Sequence, residues 1–228
     1  MSSLSPSKRL SSQTRLSLRS IGAQKVLSDV FAQTAADGAA VGFVLAHLPR
    51  DTGTILWAQD RLSEKEAGQP YMAGIGPERS VLRVNVSRPS DVLVAMEDAL
   101  RCKAMTAVIG EIWGDPPSLD FTATKRLALR AEANGVPCWL IRRAGAPNLS
   151  AARNRWRVGS LPSAAHPHDP QAPGDPRWQV ELFRSRYAQP GTWVVRYDRA
   201  SDRLDFSAPH VDGAVEKDHG ADRQRAAR

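Results

Sequence analysis

Three consecutive stretches decide the fold: Thr106-Ala-Val-Ile-Gly-Glu-Ile-Trp113, Leu119-Asp-Phe-Thr-Ala-Thr-Lys-Arg-Leu-Ala-Leu-Arg-Ala-Glu-Ala-Asn134, and Val136-Pro-Cys-Trp-Leu-Ile141. The first and last are apolar runs of strand length. The middle carries helical periodicity and stops at Gly135, the residue type that tolerates a helix C-terminus. A strand, a helix and a second buried strand form a βαβ unit, which implies a right-handed crossover and a parallel sheet.

The same alternation extends upstream. Ser80-Val-Leu-Arg-Val-Asn-Val reads as a strand, and Pro89-Ser-Asp opens a helix whose Val92, Met96 and Ala99 face the core. Thr54-Ile-Leu-Trp-Ala, bounded by Gly53 and Gln59-Asp60, is a short buried strand. Gln24–Ala35 and Gly38–Leu48 both read as helices, the first with Val26, Leu27, Val30 and Phe31 on one face. Downstream of Arg142 the pattern changes. Arg153–Leu161, Arg177–Arg186, Gly191–Tyr197 and Arg203–Ser207 read as strands, the middle two joined by a turn at Gln189-Pro-Gly, and together they predict an antiparallel extension of the same sheet. The expected fold class is α/β, a mixed, mainly parallel sheet of seven or eight strands flanked by helices.

The organisation expected from composition is a basic Ser/Arg tail over 1–20, one domain over 21–208 and a polar tail over 209–228, both tails disordered. A loose surface loop, 162–176, contains five prolines. At 228 residues, with a hydrophobic fraction of 42%, the chain is large enough to bury a core without staples. Cys102 and Cys138 read as buried thiols of a reducing compartment. No run of 18 apolar residues exists, so no membrane span is expected, and cytoplasm is the expected location. The basic, Ser-rich start would also suit an organelle transit segment.

The net charge is +7, and arginine carries it, with 25 Arg against 6 Lys. Arginine is the better fork for phosphate and the better stacker on bases, while a GC-rich genome would produce the same bias. Placement is the discriminator. From Leu140 to His168 there is no acid, yet Arg142, Arg143, Arg153, Arg155 and Arg157 all occur. Strand alternation sets Arg153, Arg155 and Arg157 on one face and Trp156, a core residue, on the other. Like charges at this spacing repel, a cost relieved by a shared anion. These five residues are the candidate DNA-binding set. The competing reading is a solvated edge that blocks sheet-to-sheet pairing.

A phosphate loop is the natural search in such a sheet, because its backbone N–H groups wrap the phosphates while one Lys neutralises them and a hydroxyl holds Mg²⁺. None of the six lysines follows a glycine. Thr34-Ala-Ala-Asp-Gly-Ala-Ala stands in the right place, with Gly38 followed by Ala39 and Ala40 where Lys and a hydroxyl belong. No cofactor, no metal and no catalytic residue is therefore expected. Asp60 and Glu111, acids at the ends of two strands, read as a relic of a nucleotide site or as loop acids. His166-Pro-His168-Asp169 lacks further ligands for a metal.

Several strings carry a resemblance: Gly68-Gln-Pro-Tyr-Met-Ala-Gly-Ile-Gly, Ala95-Met-Glu-Asp-Ala-Leu-Arg-Cys, Leu119-Asp-Phe-Thr-Ala-Thr-Lys-Arg-Leu, Ser150-Ala-Ala-Arg-Asn-Arg-Trp-Arg-Val and Pro176-Arg-Trp-Gln-Val-Glu-Leu. Across about residues 24–207 the chain resembles the ImuA family, RecA-like accessory factors of the bacterial SOS translesion mutasome. The resemblance implies a RecA-like core and a non-catalytic role in damage-induced mutagenesis, in a nucleoid-associated setting. Its implied partners are an ImuB-like relative of Y-family polymerases and a DnaE-type error-prone polymerase, with RecA and single-stranded DNA as further candidates. It also implies two DNA loops, Arg142–Ala152 and a shortened, acidic Trp113-Gly-Asp-Pro-Pro-Ser-Leu. Two alternatives stay open: a SulA-like inhibitor of cell division, and a DNA-stimulated ATPase with an unorthodox site on Asp60 and Glu111.

Overall fold

The computed structural model describes residues 21, 24–48, 53–75, 79–169 and 171–208. Its elements run β1 (Leu27–Ala32), α1 (Ala39–Leu45), β2 (Thr54–Asp60), α2 (Arg61–Ala67), α3 (Met72–Ile75), β3 (Ser80–Val86), α4 (Pro89–Ala99), β4 (Met105–Trp113) and α5 (Phe121–Asn134). There follow β5 (Cys138–Arg143), β6 (Asn154–Leu161), β7 (Arg177–Ser185), β8 (Gly191–Asp198) and β9 (Arg203–Ser207). The expected tails, 1–20 and 209–228, lie outside the described residues.

One sheet contains nine strands in the order β3-β2-β4-β5-β1-β6-β7-β8-β9. Every pairing from β3 to β6 is parallel, and the three from β6 to β9 are antiparallel. The α/β class and the antiparallel extension are as expected. The strand number exceeds the expected seven or eight because the sheet also includes β1. Leu27–Ala32 is a strand, not part of a helix, and it lies between β5 and β6 near the middle of the sheet. A strand buried on both faces loses the two-residue alternation that marks a half-buried one. Here Ser28 and Asp29, both buried, also break the apolar run, so four apolar residues on a helical face gave a false period.

Local signals explain the helices well. Asp120 caps α5, its Oδ1 accepting from Ala123 N–H at 2.7 Å, and Gly135 ends the helix at φ 66°, a left-handed conformation. Ala123, Leu127, Ala128 and Ala131 form its buried stripe. Pro89 occupies the first turn of α4. That helix lies close to β4 because Gly110 has no side chain: a Cβ there would sit 2.1 Å from Met96 Sδ.

Each face of the sheet has its own apolar layer. Phe43, Trp57, Trp139, Trp156 and Trp178 belong to the layer under α1, which continues beneath the antiparallel strands as Trp193, Val195 and Phe206. Leu56, Met96, Val108, Leu127 and Leu140 belong to the layer under α4 and α5. Trp156 is fully buried, as its strand position required. Cys138 is also buried, and burial pushes its thiol well above the ordinary range. Cys102 is exposed, contrary to expectation, because it follows the end of α4 in a turn instead of the apolar stripe. No helix among the described residues is long and apolar enough to cross a membrane.

Candidate functional site

Because Leu27–Ala32 is a strand, residues 33–38 form a strand-to-helix loop leading into α1. This is the position a phosphate loop takes, and a helix N-terminus presents N–H groups to an anion. Here the protein supplies its own anion. Asp37 Oδ1 accepts from Ala39 N–H at 2.8 Å, and its Oδ2 accepts from Ser160 N–H at 2.8 Å. Ser160 Oγ donates to Asp37 Oδ1 at 2.5 Å. Burial opposes ionisation of Asp37, but these donors and the nearby Arg143 outweigh it and hold the carboxyl below its usual value. The loop carbonyls are also used: Arg143 Nη1 donates to Ala35 O at 2.8 Å and to Asp37 O at 3.0 Å.

The strand-end acids are equally occupied. Arg143 Nε donates to Glu111 Oε1, while Glu111 Oε2 accepts from Gln59 Nε2 at 2.7 Å and from Trp57 Nε1 at 3.3 Å. Glu111 and Arg143 are 1% and 3% exposed, so neither is the loop acid or solvent-facing cation the spacing allowed. Asp60 caps α2 through Ser63 N–H at 2.7 Å and accepts from Trp113 N–H at 2.9 Å. Gly38, Ala39, Ala40, Asp60 and Glu111 thus lie at one end of the sheet, around a network of internal hydrogen bonds and one buried ion pair. Among the described residues no group of three or more His, Cys, Asp or Glu side chains could hold a metal ion.

Each candidate arginine has an acidic partner drawn from elsewhere in the sequence. Arg142 pairs with Asp115 at 2.5 Å, Arg153 with Glu132 at 2.5 Å, Arg155 with Asp29 at 3.2 Å, and Arg157 with Glu181. Asp115 also accepts from Ala146 N–H at 2.8 Å, which ties together the two loops that the resemblance assigned to DNA. The arginine ladder itself is built on aromatic rings. Arg142 and Arg155 each lie 5.3 Å from the Phe31 centroid, and Arg155 and Arg157 lie 5.2 Å and 5.4 Å from that of Phe183. Guanidinium planes stacked on ring faces gain a quadrupole attraction, so the ladder needs no bound anion to offset its repulsion. Arg142, Arg143 and Arg155 are buried; Arg157 and, in part, Arg153 reach solvent. Phe31 lay in the misread segment and Glu132, Glu181 and Phe183 on other elements, so spacing within the arginine stretch could not reveal these partners.

Four cations line a different feature. Lys125, Arg153, Arg184 and Arg186 border a groove of about 440 Å³ between α5, the segment before β6 and the end of β7. Phe121 and Leu129 also line it, 43% and 51% exposed. The signal for this site was available. Phe121, Lys125 and Leu129 recur at four-residue spacing on the face of α5 opposite its buried stripe.

The fold and these sites define the class: an α/β domain with a mainly parallel sheet whose first strand-to-helix loop is filled by its own side chains. Protein ImuA of Caulobacter vibrioides, strain NA1000 / CB15N, is 32% identical over 162 residues. The match covers 66% of this chain and 63% of that protein. Protein ImuA of the Caulobacter vibrioides strain ATCC 19089 gives the same values. The chain is similar to Protein ImuA along about two thirds of its own length, and the match spans less than two thirds of these relatives' length. No protein-family model matches the chain.

Proposed function

We propose that this protein is a non-catalytic accessory factor of SOS-induced translesion DNA synthesis, working by contacts with proteins and with single-stranded DNA. The similarity to Protein ImuA supports the pathway. The single observation supporting a non-catalytic role is the Asp37 carboxylate on the first N–H of α1, backed by Arg143 and Glu111. A triphosphate would have to displace the partly buried Asp37 carboxylate and break the buried Arg143–Glu111 pair while finding no lysine to neutralise it. Electrostatic stabilisation of the transferring phosphoryl group is the main catalytic contribution in such sites, and none is in place. The partners of this reading are an ImuB-like relative of Y-family polymerases, a DnaE-type error-prone polymerase and RecA.

Calorimetric titration with magnesium-ATP tests the non-catalytic reading. No saturable heat is expected, and no phosphate release with or without single-stranded DNA. Tight magnesium-dependent binding, or turnover lost in Glu111→Gln, would overturn it. Deleting the gene is expected to lower the frequency of damage-induced mutation, and affinity capture from damaged cells is expected to recover both polymerases. For direct DNA contact, the solvent-reaching Arg153 and Arg157 are the members of the original set that remain available.

A further inference from the structure

The structure assigns a second, unpaired cation cluster to ligand binding, and we infer that the α5 groove holds a base and its flanking phosphates of single-stranded nucleic acid. The inference rests on the reading that this protein contacts single strands. It moves the main contact away from the arginine ladder.

The charge distribution is the first argument. Of the groove's eleven lining residues, four are cations and none is acidic. Arg153 has Glu132 as partner. Lys125, Arg184 and Arg186 form no ion pair with any described residue, and all three are exposed. Every buried arginine of the ladder has an acid in direct contact, whereas these three have none, and only Arg186 feels one at longer range, adding a minor pull to that of Arg153 on Glu132. Arg184 even bears on the buried Arg155, lowering its proton affinity after the larger effect of burial. Solvated cations clustered on two separate chain segments, α5 and the end of β7, create a local positive potential that draws in phosphate.

The floor of the groove is the second argument. Ala128, Ala151 and Ala152 make it apolar and shallow, and Phe121 stands at its margin with almost half of its surface in water. An exposed ring beside arginines gives the combination used for sequence-tolerant single strands, in which bases stack while cations follow the backbone. The volume, about 440 Å³, is that of a cleft for one small ligand. A docked partner helix would need anchors over two turns, about 10 Å of continuous apolar surface. Alanine floor residues flanked by charge do not supply that.

The test uses the full chain and a fluorescein-labelled oligothymidylate, with anisotropy followed across a salt series. All the residues to be changed are solvent-exposed, and circular dichroism with thermal unfolding checks that each variant keeps its fold. Replacing Lys125, Arg184 and Arg186 together by Ala should flatten the plot of log affinity against log salt by about 2, at roughly 0.7 for each single-strand phosphate contact. Phe121→Ala should weaken binding about fivefold or more at an unchanged slope, because it removes stacking and no charge. Binding by the parent protein that both variants retain, but that Arg157→Ala weakens, would overturn the groove and keep the DNA reading. No binding by the parent protein even at low salt would overturn both. If polyglutamate displaces the oligonucleotide at equal charge concentration and Phe121→Ala has no effect, the groove is a general acidic-protein surface and the inference fails.

Discussion

Two arginine-rich regions of this molecule differ in one respect, the supply of counter-charge. Between β1, β5, β6 and β7 the guanidinium groups of Arg142, Arg143 and Arg155 are buried, stacked on Phe31 or hydrogen-bonded to loop carbonyls, and paired with Asp115, Glu111 and Asp29. Around the α5 groove, Lys125, Arg184 and Arg186 stand in water and form no direct ion pair with a described residue. The first set is architecture: a buried charge is tolerated only when paired and hydrogen-bonded. The second has no structural reason to be cationic, because exposed cations add little to stability. Arginine density along a sequence therefore does not separate structural cations from solvent-exposed ones; pairing in the folded chain does.

The comparison is broken most directly at Glu111. Glu111→Ala leaves Arg143 buried without its carboxylate, and removal of one partner of a buried pair costs about 3–5 kcal/mol. Urea unfolding should show a loss of that order. A loss below about 1 kcal/mol would mean that the network is not structural, and the nucleotide-site reading would return.

A second buried titratable group gives a pH signature to the same interior. His47 lies against Phe43, Trp139 and Trp156, with its Nδ1 at 2.8 Å from Phe43 O. Burial depresses the imidazole from 6.5 to about 4, against the small opposing pull of that carbonyl. Between those values the unfolded chain binds a proton that the native chain refuses. The contribution is therefore complete above pH 6.5 and is lost as pH falls toward 4, at about 1.4 kcal/mol per unit and about 3 kcal/mol across the window. The difference in unfolding free energy between the parent and His47→Leu should shrink by about that amount over this range. A pH-independent difference would refute the assignment.

The smallest effect belongs to the exposed end of the ladder. Arg157 and Glu181 both reach solvent, with side chains 45% and 36% exposed, so Arg157→Ala should cost at most about 1 kcal/mol. Arg155→Ala, which strands Asp29, should cost several times more. Equal losses at the two positions would erase the distinction between the buried and exposed parts of the ladder. For the same reason a double change at Arg153 and Arg155, attractive from the sequence alone, would report on folding as much as on binding.

Much of the architecture was legible in local physics. Strand-length apolar runs separated by capped helices specified β2 to β5 with α4 and α5. Alternation in the last third specified β6 to β9, with Trp156 inward. The absence of lysine after Gly38 was a statement about composition, and it needed no coordinates. What the sequence could not disclose was pairing over distance: Asp29 with Arg155, 126 residues apart, Glu111 with Arg143, 32 apart, and Phe31 between two guanidinium groups. Buried charge stays hidden in a linear reading because its partner is selected by strand order, and that order follows from packing the whole sheet. The same reason explains β1, whose polar Ser28 and Asp29 are tolerable at the sheet's centre only because β6 brings Asn154 and Arg155 alongside. Composition and periodicity thus determined the kinds of element and the missing phosphate loop, while tertiary contact alone decided which cations were already satisfied and which stand exposed in solvent.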